Sequence, residues 1–331
     1  MESLIKSLAK NKYEYELGTL INNQFNILPD CFIKNSIKVK IKDNHIDKFK
    51  NRLKNDKVDL EELVTDKYYA IYKVEKEKYL YIEFIVNSHV LVPECLLSDF
   101  VSEDKHLYYI DTNTNNIKKT SKRRYNTIQG YYTKYFEEYL SKNYENKIGK
   151  IKTQIEEFVF DRVEEIQFIG LFNDIKSLLN MSFFRNPRFI EEINKESVSA
   201  KLIAGGYNSE DVAMFYRKFG TNVLKDYSVY LLDNRTDEGL VLSKEIFASI
   251  MIHEANQSLI LPLHPKYGII LVPTEYYESR KKAYGDNSYM IIEDENILHK
   301  INDHIYMQCK KYNNDVIGRE NDLKGILSRN I

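Results

Sequence analysis

The spacing of apolar and charged residues over the first 87 positions predicts a small α/β module. Residues 37–41 alternate apolar side chains with lysines, which indicates a half-buried strand with a lysine face. The helical spacing of apolar residues in 44–55 predicts a helix, with Asn44 as its N-cap. Two further strands, at 67–74 and 79–86, are predicted to form a hairpin around the charged turn between them.

The hydrophobic period changes twice in the rest of the chain. Over 124–219, apolar residues recur every three or four positions, which predicts three to five packed helices. After Asp226 the period becomes two and predicts strands, and Pro262 and Pro273 restrict two of these to sheet edges or strand ends. A last amphipathic helix is predicted over 295–311.

These elements together predict an α+β fold, in which the N-terminal module precedes a helical bundle with a mixed β-sheet element. The predicted domains are 1–87, 88–320 and a C-terminal tail at 321–331, which is either a helical end or a frayed segment. No apolar run reaches the roughly 18 residues of a membrane span, and the first residues lack an apolar stretch of signal length. We therefore expect a cytoplasmic protein that does not associate with membranes.

Composition and motifs argue against several classes of protein. The 48 Lys and Arg residues balance 49 Asp and Glu residues, so the net charge of −1 gives no overall electrostatic signal for nucleic acid or membrane. The sequence contains no GxxxxGK[ST], GxGxxG or GxSxG motif. A P-loop ATPase, a dinucleotide enzyme of the usual type and an α/β-hydrolase are therefore not expected.

One short segment concentrates positive charge. Five cations lie within seven residues and are followed by several tyrosines, and they are Lys118, Lys119, Lys122, Arg123 and Arg124. Because cations bind phosphates and aromatic rings stack on bases, this segment is the predicted nucleic-acid-binding site. The alternative is an ordinary solvated strand end, with the tyrosines half buried.

Metal-binding patterns in the sequence are incomplete. His299 and His304 are five residues apart, which places them on different sides of a helix. The calcium-like spacing that starts at Asp111 lacks the glycine and the terminal glutamate of a calcium loop. Glutamates are frequent between 137 and 165, and paired carboxylates hold Mg²⁺ in nucleases. Mg²⁺ is thus the candidate cofactor, with its ligands unknown.

Several segments in order resemble the DUF4238 family, a functionally uncharacterised family, over about residues 88–320. The matching features are Pro93, Leu97 and Phe100 in HVLVPECLLSDF, the strand LYYIDTNTN, the acidic helix with Glu137 and Glu145, the turn in SFFRNPRF, the segment LILPLHPKYGIIL, and Asn302. Two positions depart from the family pattern: its histidine falls at Val90, and its Ser-Asp-x-Pro is replaced from Ser243 onward. The resemblance implies a layout rather than a mechanism.

The candidate catalytic residues come from these segments and are Glu145, Arg185 and His264. Arg185 precedes Pro187 and could instead form a structural ion pair, with Glu145 as a candidate partner. His264 lies between two prolines that could simply shape a turn.

Two functions of different classes follow from these observations. The first is a nucleic-acid-acting effector, in its enzymatic form a metal-dependent nuclease, in bacterial defence against phage or mobile elements. The second is a non-enzymatic recognition or scaffold protein that binds a partner protein, with the N-terminal module as the partner surface.

Overall fold

The computed structural model describes residues 2–17, 36–89, 92–125, 127–161, 171, 174–179, 182, 186–196, 212, 226–252, 255–274 and 289–330. These residues form helices together with antiparallel and mixed sheets, so the predicted α+β class is confirmed. The helices are α1 (Glu2–Lys10), α2 (Ile46–Asn55), α3 (Glu94–Leu97), α4 (Lys134–Leu140), α5 (Asn146–Asp161), α6 (Pro187–Glu196), α7 (Glu295–Lys311) and α8 (Glu320–Asn330). The strands are β1 (Tyr15–Leu17), β2 (Ser36–Lys42), β3 (Glu61–Thr65), β4 (Tyr69–Glu75), β5 (Lys78–His89), β6 (Leu107–Asp111), β7 (Asn116–Thr120), β8 (Thr127–Thr133), β9 (Tyr227–Asn234), β10 (Leu242–Ser243), β11 (Ala248–Ile252), β12 (Ala255–His264), β13 (Tyr267–Pro273), β14 (Tyr289–Ile292) and β15 (Val316–Gly318).

The chain divides into two compact units. The first contains Met1–Ser88 and Ile128–Leu140, and the second contains His89–Thr127 and Ser141–Ile331. Residues 128–140 thus group with the N-terminal module, although the sequence pattern assigns them to the helical region. The predicted domain limits themselves stay a prediction.

The first unit is built on a six-stranded sheet in the order β1-β2-β5-β4-β3, with β8 paired to β5. Strand β2 runs parallel to β5, whereas the pairs β1–β2, β3–β4 and β4–β5 are antiparallel. The predicted alternation in β2 is confirmed, because its isoleucines and valine are buried while its lysines are not. The helices α1 and α2 cover this apolar face through Leu4, Leu8, Phe49 and Leu53.

The predicted hairpin is also confirmed, with β4 and β5 joined at Lys76 and Glu77. Glu77 has a φ of 57°, the left-handed conformation that glycine or asparagine usually supplies in such a turn.

Two local predictions in the first unit are wrong. Asn44 does not cap α2, because it lies inside a 3₁₀ turn (Asp43–His45) and His45 occupies the cap position. Residues 127–133 are not helical, because they form β8. This segment is rich in threonine and tyrosine, which favour extended structure, and pairing with β5 satisfies its backbone.

The second unit contains two sheets and a shared core. One sheet has the order β10-β15-β6-β7, and the other has the order β11-β12-β13-β9-β14. The helix α7 follows the predicted limits and packs with α8 on these sheets through a core that includes Ile110, Ile260, Ile270, Leu298, Ile305, Tyr306, Leu323 and Ile326. Because α8 spans the predicted tail and buries two of these side chains, the tail is a helical end.

The proline predictions hold for the same physical reason in both strands. Pro273 is the last residue of β13. Pro262 lies beyond Ile260, the last residue of β12 that pairs with β11, so only β13 pairs with the strand at this point. A residue without an N–H group is tolerated there because one side of the strand has no ladder.

Candidate functional site

A cavity of about 710 Å³ opens beside β2 in the first unit. Among the described residues its lining contains six cationic side chains and one carboxylate, that of Glu14. The cations are Lys12, Lys38, Lys40, Lys42, Lys48 and Arg52. A lining with this balance of charge is a candidate site for a polyanion.

The cavity lies at the uncovered edge of β2 and takes its cations from both sides of the sheet. In β2, side chains alternate between the two faces, so the three lysines share the face opposite the apolar face that α2 covers. In α2, Lys48 and Arg52 are four residues apart and therefore lie on one side of the helix. His45, at the N-cap position of α2, also lines the cavity. The cavity thus collects cations from a strand and from the helix that follows it.

The opening exists because β1 is short. It pairs with only three residues of β2, and Tyr15 opposite Val39 is the pair nearest to the cavity. Preceding residues 12–14 line the cavity instead of continuing the ladder, and Lys12 adopts a φ of 57°. Within the described part of the chain, residues 40–42 therefore pair on one side only, with β5.

Most of the lining cations form no ion pair with a carboxylate of the described residues. Lys38 forms an ion pair with Glu83, with an N–O distance of 2.9 Å. The other five cations of the lining have no carboxylate partner among the residues that the structure describes. In a protein of net charge −1, this leaves a local excess of positive charge in a concave, partly desolvated place, where the electrostatic field is strongest.

Aromatic rings stand next to these cations. The Tyr13 ring packs edge-to-face on Phe49, with the ring centroids 4.8 Å apart. Arg52 donates a hydrogen bond of 3.0 Å to the Tyr13 hydroxyl, and its guanidinium carbon lies 5.9 Å from the Tyr13 ring centroid. Tyr15 is half-buried and also lines the cavity. The site therefore offers planar surfaces beside its positive charge.

The basic segment predicted from the sequence lies in the second unit, and three of its cations have polar partners. Lys118 forms an ion pair with Asp111 at 2.5 Å and lowers the pKa of that carboxyl by donating a hydrogen bond to it. Lys122 donates to the Ser98 hydroxyl at 3.1 Å. The Arg123 Nε lies 3.7 Å from a Glu94 carboxylate oxygen.

The remaining two cations, Lys119 and Arg124, are exposed. Tyr125, which directly follows the segment, is buried and donates to Asp315 at 3.0 Å. Tyr132, which is 1% exposed, belongs to the first unit. Nucleic-acid binding by Lys118, Lys119, Lys122, Arg123 and Arg124 stays a prediction. The alternative interpretation, a solvated strand end with the tyrosines half buried, stays a prediction as well.

Glu145 closes a short π-helical turn before α5. It lines a small, mainly apolar cavity together with Leu261 and Ile246. Eleven residues further along the chain is Glu156, whose Oε1 accepts a hydrogen bond of 2.7 Å from the Tyr267 hydroxyl. At about 1.5 Å per residue, Glu145 and Glu156 are about 16 Å apart along the helix. Glu156, rather than Glu145, is therefore the carboxylate beside the turn that carries His264.

His264 begins the tight turn between β12 and β13. Its ring stacks on Tyr267, with the ring centroids 4.8 Å apart and the planes 10° from parallel. Its Nδ1 accepts a hydrogen bond of 3.0 Å from the Lys266 backbone N–H. Burial lowers the pKa of His264, and the positive charge of Lys152 lowers it further.

This hydrogen bond fixes what His264 can do chemically. In the neutral ring one nitrogen accepts and the other carries the proton, so an accepting Nδ1 places the proton on Nε2. His264 therefore presents an N–H donor and has no free basic nitrogen. It can donate a hydrogen bond from Nε2 to an acceptor, and its role as a catalytic residue stays a prediction.

Other predicted features are placed as follows. Arg185 lies outside the described residues. Ser243, at the departure from the family pattern, is buried, and its hydroxyl accepts from Cys309 at 3.4 Å and from the Glu245 N–H at 3.1 Å. Among the described residues, no three His, Cys, Asp or Glu side chains are grouped as a metal site requires. In the same part of the chain, no helix combines the length and apolar character needed to span a bilayer.

No protein-family model, curated protein or solved structure matches this chain. The DUF4238 resemblance therefore stays a prediction, and the site is judged on its own geometry.

The sequence contains part of the signal for the basic cavity. The lysine face of residues 37–41 is visible as a pattern, but it is typical of any solvated strand. What marks a site is the addition of Lys12, Lys48 and Arg52, which come from other elements. The position of Lys12 depends on the pairing of β1 with β2, and that of Lys48 and Arg52 on the packing of α2 against the sheet, and no local pattern shows either.

Proposed function

We propose that the protein binds nucleic acid through the basic cavity of its first unit. The observation that carries the proposal is the convergence of six cations, five of them without a carboxylate partner among the described residues, on a concave site of about 710 Å³. A sequence of phosphates supplies the negative charge that this lining lacks. The neighbouring tyrosine rings and the Arg52 plane suit the bases.

The proposed activity is binding of nucleic acid. We expect the basic segment at Lys118–Arg124 to contribute less to binding than the cavity, because three of its five cations already have polar partners. Cleavage by a metal-dependent nuclease, as expected for a defence effector, is an extension that incubation with Mg²⁺ tests directly.

A matched pair of triple variants separates the two basic regions. Lys40, Lys42 and Lys48 are replaced by alanine in the first variant, and Lys118, Lys119 and Lys122 in the second, so both variants lose three positive charges. Binding of a fluorescein-labelled 20-nucleotide strand is measured by anisotropy between 50 and 400 mM salt. Circular dichroism is recorded for both variants as the check that they remain folded.

The expected result is a specific loss in the cavity variant. Each phosphate contact on a single strand contributes about 0.7 to the slope of log K against log salt, so three lost contacts lower the slope by about 2. The same relation gives about 100-fold weaker binding at about 0.1 M salt. The second variant should bind nearly as well as the wild-type protein. Equal losses in both variants, or wild-type binding that does not respond to salt, would contradict the proposal.

A further inference from the structure

The size of the basic cavity limits what can enter it. A sphere of 710 Å³ is about 11 Å across. The major groove of DNA alone is about 12 Å wide, so a duplex is too broad to enter. Pockets for small ligands measure about 300–1,000 Å³, and one or two nucleotides fall in that range.

Some of the cations can be reached only by a ligand small enough to enter the cavity. Lys42 is half-buried, and Lys40 and Lys42 lie on the part of β2 that β1 leaves uncovered. Arg52 is half-buried as well, and its hydrogen bond to Tyr13 fixes it at the wall of the cavity. A ligand must enter the cavity to reach Lys42 and Arg52, whereas a duplex lying across the opening would contact only the exposed Lys40 and Lys48.

The aromatic side chains that line the cavity indicate that bases bind there together with the phosphates. Arginine planes and tyrosine rings both stack on unpaired bases. The Tyr13 hydroxyl and ring are already engaged by Arg52 and Phe49. Tyr15 also lines the cavity; it packs against the apolar core opposite Val39, and the described residues give its ring no aromatic or cation contact. Tyr15 is therefore the ring best placed to stack on a base.

We infer that the cavity takes one or two nucleotides of a single strand, with the phosphates on Lys40, Lys42 and Lys48 and a base on Tyr15. This inference rests on the proposed function and specifies its ligand. It predicts that a single strand binds more tightly than a duplex. It also predicts that the base adds to the binding affinity independently of the phosphates.

Anisotropy competition tests the inference. A labelled 20-nucleotide thymidine strand bound to the wild-type protein is displaced by three unlabelled competitors: the same strand, a blunt 20-base-pair duplex, and an abasic strand of equal phosphate count. The measurements are repeated with Tyr15→Leu, which keeps an apolar side chain at the half-buried position. Tyr79→Leu, a tyrosine on β5 that does not line the cavity, is the control.

We expect the duplex to compete at least tenfold more weakly than the single strand. Stacking on an aromatic ring contributes about 1–3 kcal/mol per base, so Tyr15→Leu should weaken thymidine-strand binding about 5- to 150-fold. Binding of the abasic strand should not change, and Tyr79→Leu should behave like the wild-type protein.

The alternative outcomes are distinct. Equal competition by the duplex would overturn the inference and leave the proposed function standing. Equal binding of abasic and thymidine strands, with no effect of Tyr15→Leu, would overturn the role of the base. No binding of any nucleic acid would remove the proposed function and the inference together.

Discussion

Asn302 provides the sharpest test of how the second unit is held together. Its side chain is fully buried on α7. Its Nδ2 donates to the Gly239 carbonyl at 2.8 Å, and its Oδ1 accepts from the Val241 N–H at 3.2 Å. One amide thus satisfies two backbone groups of the segment that leads into β10.

Replacing Asn302 by alanine removes both hydrogen bonds at once. The Gly239 carbonyl and the Val241 N–H would then be buried without these partners, and each such group costs about 1–3 kcal/mol. Alanine favours the helix by about 0.5 kcal/mol relative to asparagine, which offsets a small part of the loss. We therefore expect the free energy of unfolding of the second unit to fall by about 2–5 kcal/mol.

Urea unfolding followed by circular dichroism measures this change, and hydrogen exchange at the Val241 amide localises it to the second unit. The matched control is Asn296→Ala on the same helix, where the side chain is exposed and, among the described residues, bonds to Asp294 alone. This control should change the stability by no more than about 0.5 kcal/mol. If Asn302→Ala destabilised the unit no more than the control, the hydrogen-bond argument would be wrong.

Two other residues give further predictions. Burial lowers the pKa of His264 below its ordinary value, so the unfolded chain binds more protons, and stability should fall as the pH drops from 6.5 toward the lowered pKa. His264→Gln should lose less stability than the wild-type protein between pH 7.5 and 5 in urea titrations, and parallel losses would contradict this. Gly239→Ala places a Cβ 2.6 Å from Asp322 Oδ2 and 2.9 Å from Pro265 Cβ, so the melting temperature should fall by an amount equivalent to about 1–3 kcal/mol. An unchanged melting temperature would show that the turn adjusts freely.

Much of the fold could be predicted because its elements are locally amphipathic. The limits of α7, the hairpin of β4 and β5 and the alternation in β2 all follow from patterns within about 20 residues. The strand β8 could not be predicted, because its partner β5 lies about 40 residues earlier in the chain. Pairing across that distance overrides a helical pattern that continues on its C-terminal side.

The candidate site was harder to predict than the fold for a related reason. A dense run of cations is visible in the sequence, but the acids that neutralise it are not. Lys118 forms an ion pair with Asp111 across a hairpin, and Tyr125 donates a hydrogen bond to Asp315, which lies 190 positions further along the chain. The cations of the cavity are sparse in sequence and converge only in space. Local density of charge in the sequence therefore does not show which cations have carboxylate partners among the described residues.

Five cations without a carboxylate partner among the described residues, in one cavity, also have a consequence for stability. Like charges that share a concave surface repel each other, so the cavity should destabilise the first unit in the absence of a ligand. The Lys40, Lys42 and Lys48 triple alanine variant should then unfold at the same or a higher urea concentration than the wild-type protein at about 10 mM salt, where the Debye length is about 30 Å. The difference should disappear at about 1 M salt, where that length is about 3 Å. A variant less stable than the wild-type protein at low salt would mean that these lysines contribute to folding, and it would contradict the expected repulsion between them.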